Sequence, residues 1–479
     1  MISLESVSYA YPRTDRDALA GITLSLARGE CILIAGHSGS GKTTLCLAAA
    51  GILEHEYGGK KAGRVMVDGK DVREYADLSD LSSRVGILFD DPDSQLLFTT
   101  VEEEILSALE RRGFSPGEVE ERLARVLSVT GLEALRDRPP HALSGGQKQR
   151  VVLATTLALG TDILILDEPT SELDEQGTES IVRLLAELKA QGKAILIVEQ
   201  KYEKLAPLID RIVVLENGRI RVEGPPATVL ADEVARRVLI PDFSGIGTAK
   251  NGTNGESPII RTGTLSFRYG EVDALSGVDL SIARGEFVAI VGENGSGKTT
   301  LVKHFIGLLR PGKGTVVVDG KDAAAAPIAD LAHSVGLVFQ NPDHMFFADS
   351  VFDEVAFGVD NLGIPDREKA VADALSAVRL TAARDLYPRW LSRGERQRLA
   401  IACVLAMQPA VLVLDEPTTG LDGTESRDII GIMKKLQENG HTIIMVTHSR
   451  EIAGQCADRV IRMEAGRIVS DARAEVSHG

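Results

Sequence analysis

Apolar residues gather in two repeating kinds of run along this chain. Unbroken stretches such as Cys31-Ile-Leu-Ile-Ala35, Ile163-Leu-Ile-Leu166 and Ala194–Val198 predict strands buried on both faces. Phe287-Val-Ala-Ile-Val291, Val411-Leu-Val-Leu414 and Thr442–Val446 repeat them in the second half. Shorter strands precede each set, over Ser3–Tyr9 and Arg261–Tyr269. Helix-rich segments follow, at about 101–128 and 351–378. Buried strands alternating with helices predict an α/β fold with a mostly parallel sheet covered on both faces.

Lys42 and Lys298 stand 256 residues apart, Phe89 and Phe339 250, and Asp167 and Asp415 248. The first copy therefore has extra residues between its glycine loop and Phe89, around Glu54–Lys61. The expected domains are 1–240 and 259–479, joined by 241–258. That joining segment is rich in Gly, Asn and Thr without periodicity, and reads as a flexible tether.

A length of 479 residues suits two or three domains. A net charge of −16 and 4% aromatic residues argue against a nucleic-acid-coating protein, so no nucleic-acid partner is expected. The four cysteines are dispersed, which fits a reducing compartment and no structural zinc or iron–sulfur cluster. No apolar run reaches the ~18 residues of a spanning helix, and Met1–Val7 does not look like a signal peptide. Any membrane role is expected to come through a partner.

The chemistry lies at the strand ends. Gly36-His37-Ser38-Gly39-Ser40-Gly41-Lys42-Thr43-Thr44 and Gly292-Glu293-Asn294-Gly295-Ser296-Gly297-Lys298-Thr299-Thr300 follow buried strands and open helices. In such a loop, glycines let backbone N–H groups wrap phosphates, and the helix N-terminus adds partial positive charge. Lys42 and Lys298 are expected to reach the β/γ-phosphates of ATP, with Thr43 and Thr299 on Mg²⁺. Asp167 and Asp415 end apolar strands where an acid can face that metal. Glu168 and Glu416 follow, placed to polarise water.

Leu143-Ser144-Gly145-Gly146-Gln147, running into Lys148-Gln149-Arg150, resembles the signature of the ATP-binding cassette (ABC) ATPases. The second copy reads Leu391-Ser392-Arg393-Gly394-Glu395, and Asp174 and Asp422 lie in the loops after the acidic pairs. The resemblance covers nearly the whole chain. It implies two P-loop cassettes, each with an antiparallel β subdomain and a helical subdomain, paired head to tail within one chain. Each ATP would lie between the phosphate loop of one copy and the signature serine and glycines of the other. Tyr11 and Tyr269 occupy the place where this family stacks an aromatic ring on adenine; a plain tyrosine at a strand end reads equally well.

Phe339-Gln340-Asn341-Pro342-Asp343, continuing through Met345-Phe346-Phe347, looks like the Q-loop region of energy-coupling factor (ECF) uptake ATPases. The first copy echoes it with Phe89-Asp90-Asp91-Pro92-Asp93. That likeness implies a peripheral ATPase on the cytoplasmic face of the membrane. Its partners would be a transmembrane coupling subunit and a substrate-capturing membrane subunit, importing a vitamin, a vitamin precursor or a metal ion. A tandem sugar-importer ATPase and a soluble cassette factor acting on ribosomes or DNA stay open as alternatives. The short neutral linker and scattered cysteines count against the soluble factor. Leu96, Leu97, Phe98, Met345, Phe346 and Phe347 are candidates for gripping a membrane partner or for core packing.

The family pattern places Gln in the Q-loop, touching Mg²⁺, and His after the last core strand. The second copy has Gln340 and His448; the first has Asp90 and Gln200. Assembled head to tail, Lys298, Gln340, Asp415, Glu416 and His448 with Ser144–Gln147 make a complete site. Lys42, Asp90, Asp167, Glu168 and Gln200 with Ser392–Glu395 make an altered one. The expectation is one hydrolytic site and one that mainly holds ATP.

Overall fold

In the computed structural model of the chain, the apolar runs become the central strands of two six-stranded sheets, one in each of two compact units, Met1–Pro241 and Asp242–Gly479. The described residues are 1–12, 14, 16–171, 173, 175–200, 202–240, 243 and 257–473. Asp174 and most of the predicted tether lie outside them.

In the first unit the strands run in the order Arg219–Gly224, Arg211–Glu216, Cys31–Gly36, Ala194–Val198, Ile163–Asp167, Val85–Leu88. All neighbours are parallel except the first pair. The second unit repeats the order with Arg467–Arg473, Arg459–Glu464, Phe287–Val291, Thr442–Thr447, Val411–Asp415 and Val335–Val338. Every residue of Cys31–Gly36, Ile163–Asp167 and Ala194–Val198 is buried, as expected for strands covered on both faces.

A four-stranded antiparallel sheet accompanies each six-stranded one. In the first unit, Ile2–Ala10 pairs with Leu19–Leu26 on one side and Lys60–Val67 on the other. In the second unit Ile260–Tyr269 pairs with Val272–Ile282 on one side, and the strand on its other side is only Val316–Val318. The difference comes from the extra residues near Glu54–Lys61, which prolong the pairing to Tyr9 and Ala10.

The helical segments are capped as their sequences dictate. Thr100 and Ser350 accept from backbone N–H groups at the starts of Val101–Arg111 and Val351–Leu362. Pro116–Thr130 begins with a Ser115–Glu118 capping box and ends at left-handed Gly131. Phe243 is buried in the core of the second unit. Among the described residues no helix is long and apolar enough to cross a membrane.

Candidate functional site

Parallel strands deliver their C-terminal ends to one sheet edge, and the candidate residues follow from that. In the first unit this edge carries the glycine loop after Gly36, then Glu199-Gln200, then Asp167-Glu168, then Phe89-Asp90, in spatial order. In the second unit it carries the loop after Val291, then Thr447-His448, Asp415-Glu416 and Phe339-Gln340.

Each glycine loop is closed on itself. Lys42 Nζ donates to the carbonyls of Gly36 (2.8 Å) and His37 (3.0 Å), and Lys298 Nζ to those of Gly292 (2.7 Å) and Glu293 (2.9 Å). Gly41 caps its helix at φ 103°, and a Cβ there would stand 2.5 Å from the Ala18 carbonyl. Only glycine fits at this turn into the helix. The Ser40 and Ser296 hydroxyls are buried beneath the loops with no hydrogen-bond partner. Buried polar groups are ordinarily satisfied, so these oxygens fit a polar ligand in the cradle.

Thr299 Oγ1 donates to Asp415 Oδ2 at 2.9 Å. Burial pushes the Asp415 carboxyl up to about 6. Asp167 is pushed up to about 7, first by burial and then by the negative charge of Asp90; a Thr43 hydrogen bond and Lys42 oppose this, and Glu199 adds to it. One Asp167 oxygen is buried without a partner. Among the described residues no three His, Cys, Asp or Glu side chains group around a metal position. One carboxylate and one hydroxyl suit a cation that arrives with its phosphates, as Mg²⁺ does.

Glu168 and Glu416 adopt left-handed backbone, φ 50° and 49°, directly after their strands. Such geometry is strained for a side-chain-bearing residue and clusters at functional sites. Gln200 Nε2 donates to Glu168 Oε1 at 2.7 Å, and His448 Nδ1 lies 2.9 Å from Glu416 Oε2. Thr419 Oγ1 also reaches Glu416 Oε2, at 3.4 Å. Gln340 and Asp90 are exposed, one residue past Phe339 and Phe89.

The signature serines cap their helices. Ser144 and Ser392 accept from the N–H groups of Gln147 and Glu395, whose side chains accept from the serine N–H in return. Glu395 thus makes the same capping box as Gln147, so the changed letter leaves the helix start intact. The Arg393 guanidinium lies over Gly420, where a Cβ would collide with it.

Three contributions were not anticipated from the sequence. Gln149 Nε2 donates to the Glu168 carbonyl at 2.5 Å, tying the signature helix to the acidic pair of its own unit. Glu199, 2% exposed, accepts from Thr170 N (3.2 Å) and Oγ1 (2.7 Å). A carboxylate ending an apolar strand beside Gln200 was a legible signal for it. Third, the Q-loop turn is bridged to the signature helix in both units, by Lys148–Asp93 (2.6 Å) and Arg396–Asp343 (2.7 Å).

The six apolar residues beside the Q-loop separate into two groups. Phe346 is buried, and Met345 and Leu96 pack against the cores. Leu97, Phe98 and Phe347 are exposed, and Phe347 meets exposed Phe357 edge to face at 4.7 Å. Glu104 Oε2 accepts from the N–H groups of Leu97 and Phe98, and Glu354 Oε2 from those of Phe347 and Ala348.

The family model described as ABC transporter matches residues 19–171 and again 275–419. A Methanosarcina mazei protein, named provisionally as an ABC transporter ATP-binding protein, is 48% identical over 98% of this chain and 95% of its own length. One from Caldanaerobacter subterraneus, named in the same way, is 37% identical over 98% of this chain and 90% of its own. Among solved structures, CbiO1 from Clostridium perfringens, part of the ABC transporter complex CbiONQ, is 37% identical. It covers 46% of this chain and 90% of its own, with a TM-score of 0.44. With both phosphate loops, acidic pairs and signature helices in place, the chain belongs to the ABC transporter family, as an ATP-binding subunit that hydrolyses ATP.

Proposed function

We propose that this chain powers uptake through an ECF-type membrane transporter, with one hydrolytic ATP site and one that chiefly retains ATP. The observation that carries the asymmetry is the pairing at the sheet edges: His448 faces Glu416, while an amide, Gln200, faces Glu168. An imidazole can take up a proton and relay it; an amide cannot. The first unit also has Asp90 and buried Glu199 where the second has Gln340 and Thr447, adding negative charge where phosphates would bind.

In this reading the two cassettes pair head to tail. Lys298, Thr299 and Asp415 hold one nucleotide against Ser144–Gln147, and Lys42, Thr43 and Asp167 hold the other against Ser392–Glu395. Glu416 polarises the attacking water, and His448 and Gln340 orient it. Mg²⁺, held by Thr299, Asp415 and Gln340 or by Thr43 and Asp167, would neutralise phosphate charge. Tyr11 and Tyr269 stack on adenine. Phosphate loss then removes contacts that favour the closed pair.

The ECF assignment rests on the Phe339–Phe347 sequence and on the exposed tips Leu97, Phe98, Phe347 and Phe357, which suit an apolar membrane partner. The ion pairs Lys148–Asp93 and Arg396–Asp343 give those loops a route to the signature helices. The test is affinity purification of the tagged chain from detergent-solubilised membranes of the cells that make it, followed by reconstitution of what co-purifies in vesicles. A stable complex with ATP-dependent substrate uptake is expected. Sedimentation with ribosomes or DNA instead, with no membrane complex, would overturn it.

A further inference from the structure

The two cassettes differ beside the tyrosines placed for adenine. In the second, Tyr269 meets Phe267 edge to face at 5.0 Å, and Phe267 meets His304. In the first, Tyr11 meets Tyr9 at 4.8 Å and also meets Tyr57, at 6.2 Å and an interplanar angle of 77°. Tyr57 comes from the extra residues that only the first copy has.

Several contacts fix it there. The Tyr9 hydroxyl donates to the Gly58 carbonyl at 2.6 Å. A Cβ on Gly59, at φ 119°, would strike the Ala10 carbonyl, so only glycine allows this approach. Ala10, Tyr9 and Ser8 pair with Lys60, Lys61 and Ala62, extending the ladder to the segment just after Tyr57. Tyr11 is itself tied to the helix of the phosphate loop, its hydroxyl 3.2 Å from Thr44 Oγ1. Tyr57 is 42% exposed, so its ring still has open surface.

We infer that Tyr57 is a second base-contacting residue of the first cassette: with Tyr11 it forms an aromatic corner that holds an adenine nucleotide by the face and the edge of its base. A ring stacked on Tyr11 would present its positive edge to the face of the perpendicular Tyr57, a favoured aromatic geometry. The corner strengthens binding without touching the reacting phosphate. It therefore suits a cassette that retains ATP, and the inference rests on that reading of the first site.

The test uses the full-length chain. Trp390, the sole tryptophan and 77% exposed, is replaced by Phe, and Tyr57→Trp supplies a single reporter. ATP is expected to quench its fluorescence, and inorganic triphosphate is not. In equilibrium dialysis, Tyr57→Ala should weaken ATP binding at the first cassette about 2- to 10-fold, and Tyr57→Phe should keep it. Lys42→Ala identifies that site by removing one of two bound nucleotides. If ATP binds there but leaves the indole reporter unquenched and Tyr57→Ala binds as the parent does, the corner is overturned. If Lys42→Ala leaves the number of bound nucleotides unchanged, the retaining site itself is overturned, and the corner with it.

Discussion

His448 Nδ1 lies 2.9 Å from Glu416 Oε2, and at the matching place in the first cassette Gln200 Nε2 donates to Glu168 Oε1. Both glutamates are held at this place; the His448 imidazole can exchange a proton and the Gln200 amide cannot. Glu416→Gln should therefore lower steady-state phosphate release by at least about 100-fold. Glu168→Gln should leave about half of the rate or more. Equal losses in the two variants would remove the asymmetry.

The same contrast can be transplanted. His448→Gln gives the second cassette the chemistry of the first, and turnover should fall about 10²- to 10⁴-fold while ATP binding persists. The reverse change, Asp90→Gln with Gln200→His, should raise phosphate release above the residual level of a Glu416→Gln background. No gain in that background would mean that other residues silence the first cassette.

Asp167 gives a pH signature. Its carboxyl is raised to about 7 in the folded chain, from an ordinary value near 4 when unfolded. Below pH ~4 it is protonated in both states and costs nothing. Between pH ~4 and ~7 the folded state holds the extra proton, so stability falls as pH rises through that window and stays lower above it. In nucleotide-free protein, Asp167→Asn should raise the melting temperature at pH 8, on the order of 2 kcal/mol of stabilisation, and much less at pH 5. An equal shift at both pH values would sink this account.

Glu354 latches the loop that exposes Phe347, accepting from two backbone N–H groups at 2.9 and 2.8 Å. Glu354→Ala would leave those amides without their acceptor, at about 1–3 kcal/mol each. The expected result is loss of the membrane complex with the ATPase rate of the free chain retained to within about twofold, since the carboxylate lies outside the phosphate site. Pull-down and phosphate release, measured on one preparation, separate the two effects.

Much of this was legible because the strands are parallel. Apolar runs such as Ile163–Asp167 and Val411–Asp415 advertise burial on both faces, and a parallel sheet must bring their polar last residues to one edge. What sequence spacing could not reveal depends on side-chain direction. Glu395 reads as a lost glutamine until its capping box with Ser392 is seen, because Gln and Glu accept from the same N–H equally well. Gln149 meets Glu168 across 19 positions through a contact that no local period encodes. Phe346 and Phe347 are chemically identical neighbours, and only the turn between them sends one inward and the other to solvent.

The clasp of Lys42 on Gly36 and His37, repeated by Lys298 on Gly292 and Glu293, also bears on speed. A loop already folded around its own lysine needs no ordering step when a phosphate arrives; the ammonium exchanges carbonyl oxygens for phosphate oxygens. Nucleotide capture should then follow encounter frequency, with a shallow dependence on temperature. The slow stage of the cycle is left to larger rearrangements.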